Sequence, residues 1–95
     1  MDAIRNKFLE ELDTVDWRAL RPQTARDNVI LVAPELDMVA VGCAVAGDRA
    51  GEVAGWIAAG QLRKPEAEEL SAWERELDKP FRMLIVAPYV LIQPA

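Results

Sequence analysis

Two apolar runs rich in β-branched residues, Val29-Ile30-Leu31-Val32-Ala33 and Phe81-Arg82-Met83-Leu84-Ile85-Val86, stand far apart in this chain. Runs of this kind read as strands. The first is closed by Pro34, and the second is followed by a third run, Tyr89-Val90-Leu91-Ile92. Pro88 cannot donate to a ladder, so it either bends one long strand or sits in the turn between two. Apolar strands so distant in sequence most simply lie in one sheet covered by the helices between them. The expectation is an α+β fold with a small single-layer sheet of two to three strands. These would span about residues 28–33, 81–87 and 89–93, packed with four to five helices in a single domain over 1–95.

The helices follow from spacing. Ile4, Phe8, Leu12 and Val15 recur at three- and four-residue intervals, which predicts a helix over about 2–13. Asp13-Thr14-Val15-Asp16 reads as a new N-cap, with Leu12 and Trp17 placed to staple it. A short second helix follows, disturbed at Pro22 and extending to about Arg26. Residues 36–46 admit two readings. Met38 to Val45 alternates like a second strand, with Pro34 to Asp37 as its hairpin loop. Leu36, Val39, Cys43 and Ala46 also share one helical face. The alanine content favours a nearly buried helix, which is the preferred reading. Asp48 is the expected N-cap of a further helix with Val53, Trp56 and Ile57 facing inward and Gly60 as its left-handed C′ residue. Leu62 begins a connector. Pro65 suits the first turn of a last helix whose stripe is Leu70, Trp73 and Leu77.

Ninety-five residues hold one modest core. The net charge is −5, and it is unevenly placed. Glu66, Glu68, Glu69, Glu74, Glu76 and Asp78 face a single basic residue, Arg75, in the segment 66–78, while acids and bases balance elsewhere. Such a chain is poorly suited to a phosphate backbone, so no nucleic-acid partner is expected. The longest apolar run, Met38 to Ala46, is far too short to span a bilayer, and the polar N-terminus is unlike a signal peptide. Cytoplasmic residence without membrane association is the expectation.

Catalytic chemistry is sparsely provided for. Histidine is absent, which removes the commonest general base and the commonest zinc ligand. The lone serine, Ser71, lies in the acidic helix with no strained glycine-rich turn around it. Gly42, Gly47 and Gly51 do not form a phosphate loop. Cys43 sits in an apolar run and reads as a small core hydrophobe. The six acids of the 66–78 segment lack calcium-loop spacing and read as a solvated helix face, and Glu35 and Asp37 read as caps. No cofactor, metal or catalytic residue is expected. One polar cluster stands out. Arg18, Arg21 and Arg26, with Asp27 beside them, form a candidate positive edge able to hold a carboxylate or phosphate, with Lys64 of Arg63-Lys64-Pro65 as a further candidate cation. The competing reading pairs the arginines with Asp13, Asp16 and Asp27.

Trp17 with Leu20 and Pro22, Leu36-Asp37, Ala44-Val45-Ala46 with Asp48, Trp56-Ile57 with Gly60, Leu62, Lys64-Pro65, Leu70 and Trp73 form a recurrent pattern. It ends on Leu84-Ile85-Val86-Ala87-Pro88-Tyr89-Val90-Leu91-Ile92-Gln93. Over nearly the whole chain this resembles a family of small bacterial proteins, domain of unknown function 2288. The resemblance implies no activity, cofactor or catalytic residue. Some relatives carry a histidine after the proline, where this chain has Gln23, so a histidine-based activity could not carry over.

The functional expectation is a non-enzymatic interaction or regulatory module that self-associates as a homodimer or takes a protein partner. Its motive is the apolar Tyr89-Val90-Leu91-Ile92 segment, which would need cover if it formed a sheet edge. The alternative is a binder of a small anionic ligand, or a minor enzyme, using Arg18, Arg21 and Arg26.

Overall fold

The computed structural model describes residues 3–24 and 28–95. Along the chain come α1 (Ala3–Glu11), β1 (Asp13–Asp16), α2 (Trp17–Thr24), β2 (Val29–Val32), α3 (Met38–Ala46) and α4 (Ala50–Ala58). β3 (Leu62–Arg63), α5 (Ala67–Glu74), β4 (Pro80–Val86) and β5 (Tyr89–Pro94) complete it. The strands form one mixed sheet in the order β1-β4-β5-β2-β3. β5 runs parallel to β2, with Ile30 opposite Leu91, and antiparallel to β4, with Leu84 opposite Leu91. Pro88 sits in the tight turn between β4 and β5.

The α+β class holds, and β2, β4 and β5 are the three expected strands. The sheet nonetheless has five strands rather than two to three. β1 escaped because its sequence, Asp-Thr-Val-Asp, is polar and short, as suits an exposed edge that must not recruit another chain. Its last residue still acts as a cap: the Asp16 carboxylate accepts the Ala19 N–H at 3.0 Å and starts α2. β3 is two residues long, below any sequence periodicity. The 36–46 segment is helical, started by Asp37, whose carboxylate accepts the Val39 and Ala40 N–H groups.

Helices cover both faces of the sheet. On one face Phe8 of α1 and Met38, Val39 and Val41 of α3 pack on Val32, Leu84, Val86 and Leu91. On the other, Trp17 and Leu20 of α2 and Trp73 of α5 pack on Val29, Leu31, Phe81, Val90 and Ile92. The alternation along β5 sends successive side chains into different cores, which is why its sequence is apolar throughout. β5 is therefore an interior strand hydrogen-bonded on both sides. The expectation that Tyr89–Ile92 forms an edge in need of cover is corrected by this placement.

Close packing of α3 rests on Gly42. A β-carbon there would lie 2.8 Å from Leu84 Cδ2 and 3.2 Å from the Phe8 ring, both buried. Gly42→Val is expected to lower stability by about 1–3 kcal/mol through overpacking. Urea unfolding followed by circular dichroism measures this; parental stability would mean that Phe8 and Leu84 yield freely.

Asp48 is not the N-cap of α4. It adopts φ 56° after α3, and its N–H donates to Val45 O while the Arg49 N–H donates to Ala44 O. This is a Schellman termination with an aspartate in the left-handed position that glycine usually fills. Gly47, one residue earlier, has φ −85°, a conformation open to any residue, although a β-carbon there would lie 3.0 Å from Cys43 O. Asp48→Gly is expected to stabilise the fold by about 1 kcal/mol, visible as a raised thermal midpoint. An unchanged or lowered midpoint would show that the aspartate side chain contributes as much as its backbone strain costs.

Candidate functional site

Of the arginine edge expected from sequence, the described Arg18 and Arg21 are each engaged by carboxylates. Arg18 lies 3.3 Å from Asp78 and 3.7 Å from Asp16. Arg21 Nε donates at 3.0 Å to Glu74 Oε1, the same oxygen that accepts the Trp17 indole N–H at 3.0 Å. Both guanidinium groups are thus engaged by carboxylates that tie α2 to α5 and the turn after it. Arg26 and Asp27 lie outside the described residues. Lys64 follows β3 and belongs to a groove on the opposite face of the sheet.

The acidic helix is also accounted for structurally. Arg63 holds Glu69 with two hydrogen bonds of 2.6 and 2.9 Å, and Glu69 accepts the Glu66 N–H at 3.0 Å. The hydrogen bond to Arg63 lowers the Glu69 pKa below the ordinary carboxylate value and raises that of Arg63. Among the described residues, no three carboxylates or thiols converge as metal ligands would. Cys43 is half-buried and packs against the α3 core.

An apolar concavity lies between α4 and the sheet. Its size is about 540 Å³, within the usual range of ligand sites. Ile30, Leu62 and Leu91 form its floor, with Val45, Val53 and Ile57 on the helical wall. A second concavity, of about 640 Å³, lies between α1 and the end of β4, but Lys7, Glu11 and Asp13 line it with mixed charge.

The α4 groove exists because α4 does not settle onto the sheet. Its residues are Ala-Gly-Glu-Val-Ala-Gly-Trp-Ile-Ala, with one charge, yet none is fully buried. Val53 and Trp56 touch the core only in part, and Ile57, expected to face inward, is 57% exposed. A helix apolar on all sides is normally buried on all sides. The signal for this site was therefore present in the sequence as a nearly uncharged helix, but it looked like core.

The polar residues of the groove gather at one end. Asp48, Arg49 and Ala50, at the start of α4, line it together with Lys64 and Tyr89. Arg63 pairs with Leu31 across the ladder, so Lys64 lies level with Ile30, and Tyr89 precedes the Val90 that pairs with Val29. Leu62 and Ile57 mark the other, apolar end. Neither Arg49 nor Tyr89 was a candidate from sequence, because their convergence depends on the α3–α4 turn and on the parallel β2–β5 pairing.

Comparison with known proteins bears on the whole chain. A family model described as "Protein of unknown function (DUF2288)" matches residues 3–94. The NMR solution structure of PA1075 from Pseudomonas aeruginosa is similar, with a TM-score of 0.78 and 32% sequence identity, over 99% of this chain and 86% of that one. No curated protein matches. Among the described residues, no helix is long and apolar enough to cross a membrane.

Proposed function

The chain belongs to the DUF2288 family of proteins of unknown function, and we propose that it is a non-enzymatic, cytoplasmic binding module with a regulatory role, holding a small apolar or amphipathic guest beneath α4. One observation carries this reading: a groove of about 540 Å³ with apolar walls and polar groups at one end only. Sites for small molecules have this construction, since burial of apolar surface supplies affinity and a few polar groups fix orientation. The nearly complete lack of nucleophiles and the absence of histidine favour binding over turnover.

A neutral apolar dye such as Nile red tests the groove alone. The expected result is saturable binding of one dye per chain, abolished by Ala54→Trp, which fills the groove from its exposed helical wall. Dye binding that survives this substitution, or no binding to the parent, would remove the reading.

Self-association remains a second reading, now placed on α4 instead of β5. At Gly51 and Gly55 a β-carbon would meet nothing within 4 Å, and Ala50, Ala54, Ile57 and Ala58 are exposed around them. A second copy of this helix could approach closely along that face. Sedimentation equilibrium decides it: a dimer that Gly55→Arg dissociates supports this contact, and a monomer at high concentration rejects it.

A further inference from the structure

The groove's polarity points to a ligand class, an inference that rests on the binding-module reading above. We propose that the groove takes an unbranched alkyl chain ending in a carboxylate, with the chain on the Ile30, Leu62 and Leu91 floor and the headgroup beside Arg49. Charge is the first support. Arg49 and Lys64 stand at one end of this groove beside Asp48, on a chain whose net charge is −5. Arg49, held only by Glu52, is the group at this end placed to meet an anion.

Arg63, next to Lys64 in sequence, is turned away from the groove by its two short bonds to Glu69 of α5. Arg49 pairs with Glu52 at 3.6 Å, both side chains about half exposed. An exposed pair of this length contributes little, so Arg49 can turn to a ligand carboxylate at small cost. Lys64 adds positive charge at the same end. Arg49 is also the N-cap of α4 and makes no capping hydrogen bond through its side chain, so the positive end of the helix dipole adds to the field there.

Size is the second support. At about 30 Å³ per heavy-atom group, the share of one water in the liquid, a groove of about 540 Å³ accommodates on the order of eighteen such groups. That corresponds to a medium-length chain with its headgroup.

The test is an amide NMR titration of the full chain with three probes, each below the concentration at which it aggregates. They are dodecanoate, dodecan-1-ol, which keeps the chain without the charge, and acetate, which keeps the charge without the chain. Dodecanoate is expected to shift the resonances of Arg49, Ala54 and Tyr89 saturably, and dodecan-1-ol to do so roughly tenfold more weakly. Acetate should leave them unmoved. Arg49→Gln, an exposed substitution, should weaken dodecanoate binding roughly tenfold and leave dodecan-1-ol unchanged. If the alcohol binds as tightly as the acid, or Arg49→Gln affects both equally, the carboxylate assignment is overturned while the groove itself stands. If neither long-chain probe perturbs the groove, the binding-module reading fails together with it.

Discussion

Trp17→Ala is expected to cost about 3–5 kcal/mol, a large share of the roughly 5–15 kcal/mol that stabilises a typical domain. Trp17 is 1% exposed and opens α2 directly after the β1 edge strand. Its ring centroid lies 5.0 Å from that of Trp73 and 5.9 Å from that of Phe81, while Trp73 meets Phe81 edge-on at 5.0 Å. The three rings come from α2, α5 and β4, so this one cluster joins both helices of the second core to the sheet. Removing one of its two indole rings leaves a cavity that Phe81, held in a strand, cannot move to fill. Trp17→Phe keeps one aromatic ring but removes the rest of the indole together with its N–H bond to Glu74, so it should cost about 1–3 kcal/mol, less than Trp17→Ala. Urea unfolding read by far-ultraviolet circular dichroism measures both, since tryptophan emission itself changes. A loss below 1 kcal/mol in Trp17→Ala would mean that α2 is peripheral to stability.

The legible parts of this fold are those where local chemistry and tertiary environment agree. Val29–Val32 and Phe81–Val86 are β-branched or apolar and buried, so composition and fate coincide. Gly60 was read as a left-handed C′ residue from its place after α4, and it has φ 74°. Glu66 and Glu69 start α5 as their charge suggests. The failures share one cause: residues whose role is set by a partner distant in sequence. Asp13–Asp16 is a strand only because Phe81 and Met83 lie beside it, and nothing in Asp-Thr-Val-Asp foretells that ladder. Asp48 looks like a cap by type, yet the chain direction needed to bring α4 back over the sheet puts it in the left-handed region. Ile57 has the right spacing to be core, but the sheet beneath is already covered in part by α3, and Ile57 is left at the rim of the groove. The candidate site follows the same rule. Lys64 was visible as a cation without a role, whereas Arg49 and Tyr89 acquire theirs only through topology.

Gln93 supplies the second large effect, and a pH-dependent one. It is 2% exposed near the end of an otherwise apolar strand. Its amide N–H₂ donates to Ala33 O at 2.8 Å and to Leu36 O at 2.9 Å, and its carbonyl oxygen accepts from Arg82 at 3.4 Å. Two donors on one nitrogen thereby fasten the loop that leads from β2 into α3, whose carbonyls the sheet cannot reach. Gln93→Leu should cost about 2–4 kcal/mol, because Leu36 O loses the Gln93 donor and Ala33 O keeps only the Leu36 N–H, in a poorly hydrated place. Gln93→Glu keeps the shape and inverts the chemistry. An ionised carboxylate would face two carbonyl oxygens, so the folded state favours the protonated acid, and the folded pKa lies above the unfolded value of about 4.3. A group raised in this way contributes its stability below the unfolded pKa and loses it as pH rises through the folded one. The deficit of Gln93→Glu relative to the parent should therefore be smallest near pH 4, where one O–H still serves one carbonyl, and should grow to about 3 kcal/mol or more at pH 7. Gln93→Leu should show a deficit that does not vary with pH, since it introduces no titrating group. Urea titrations of the three proteins between pH 4 and 8 measure both differences. A Gln93→Glu deficit as flat as that of Gln93→Leu would show that Arg82 turns to neutralise the new carboxylate, and that the loop carbonyls find water instead.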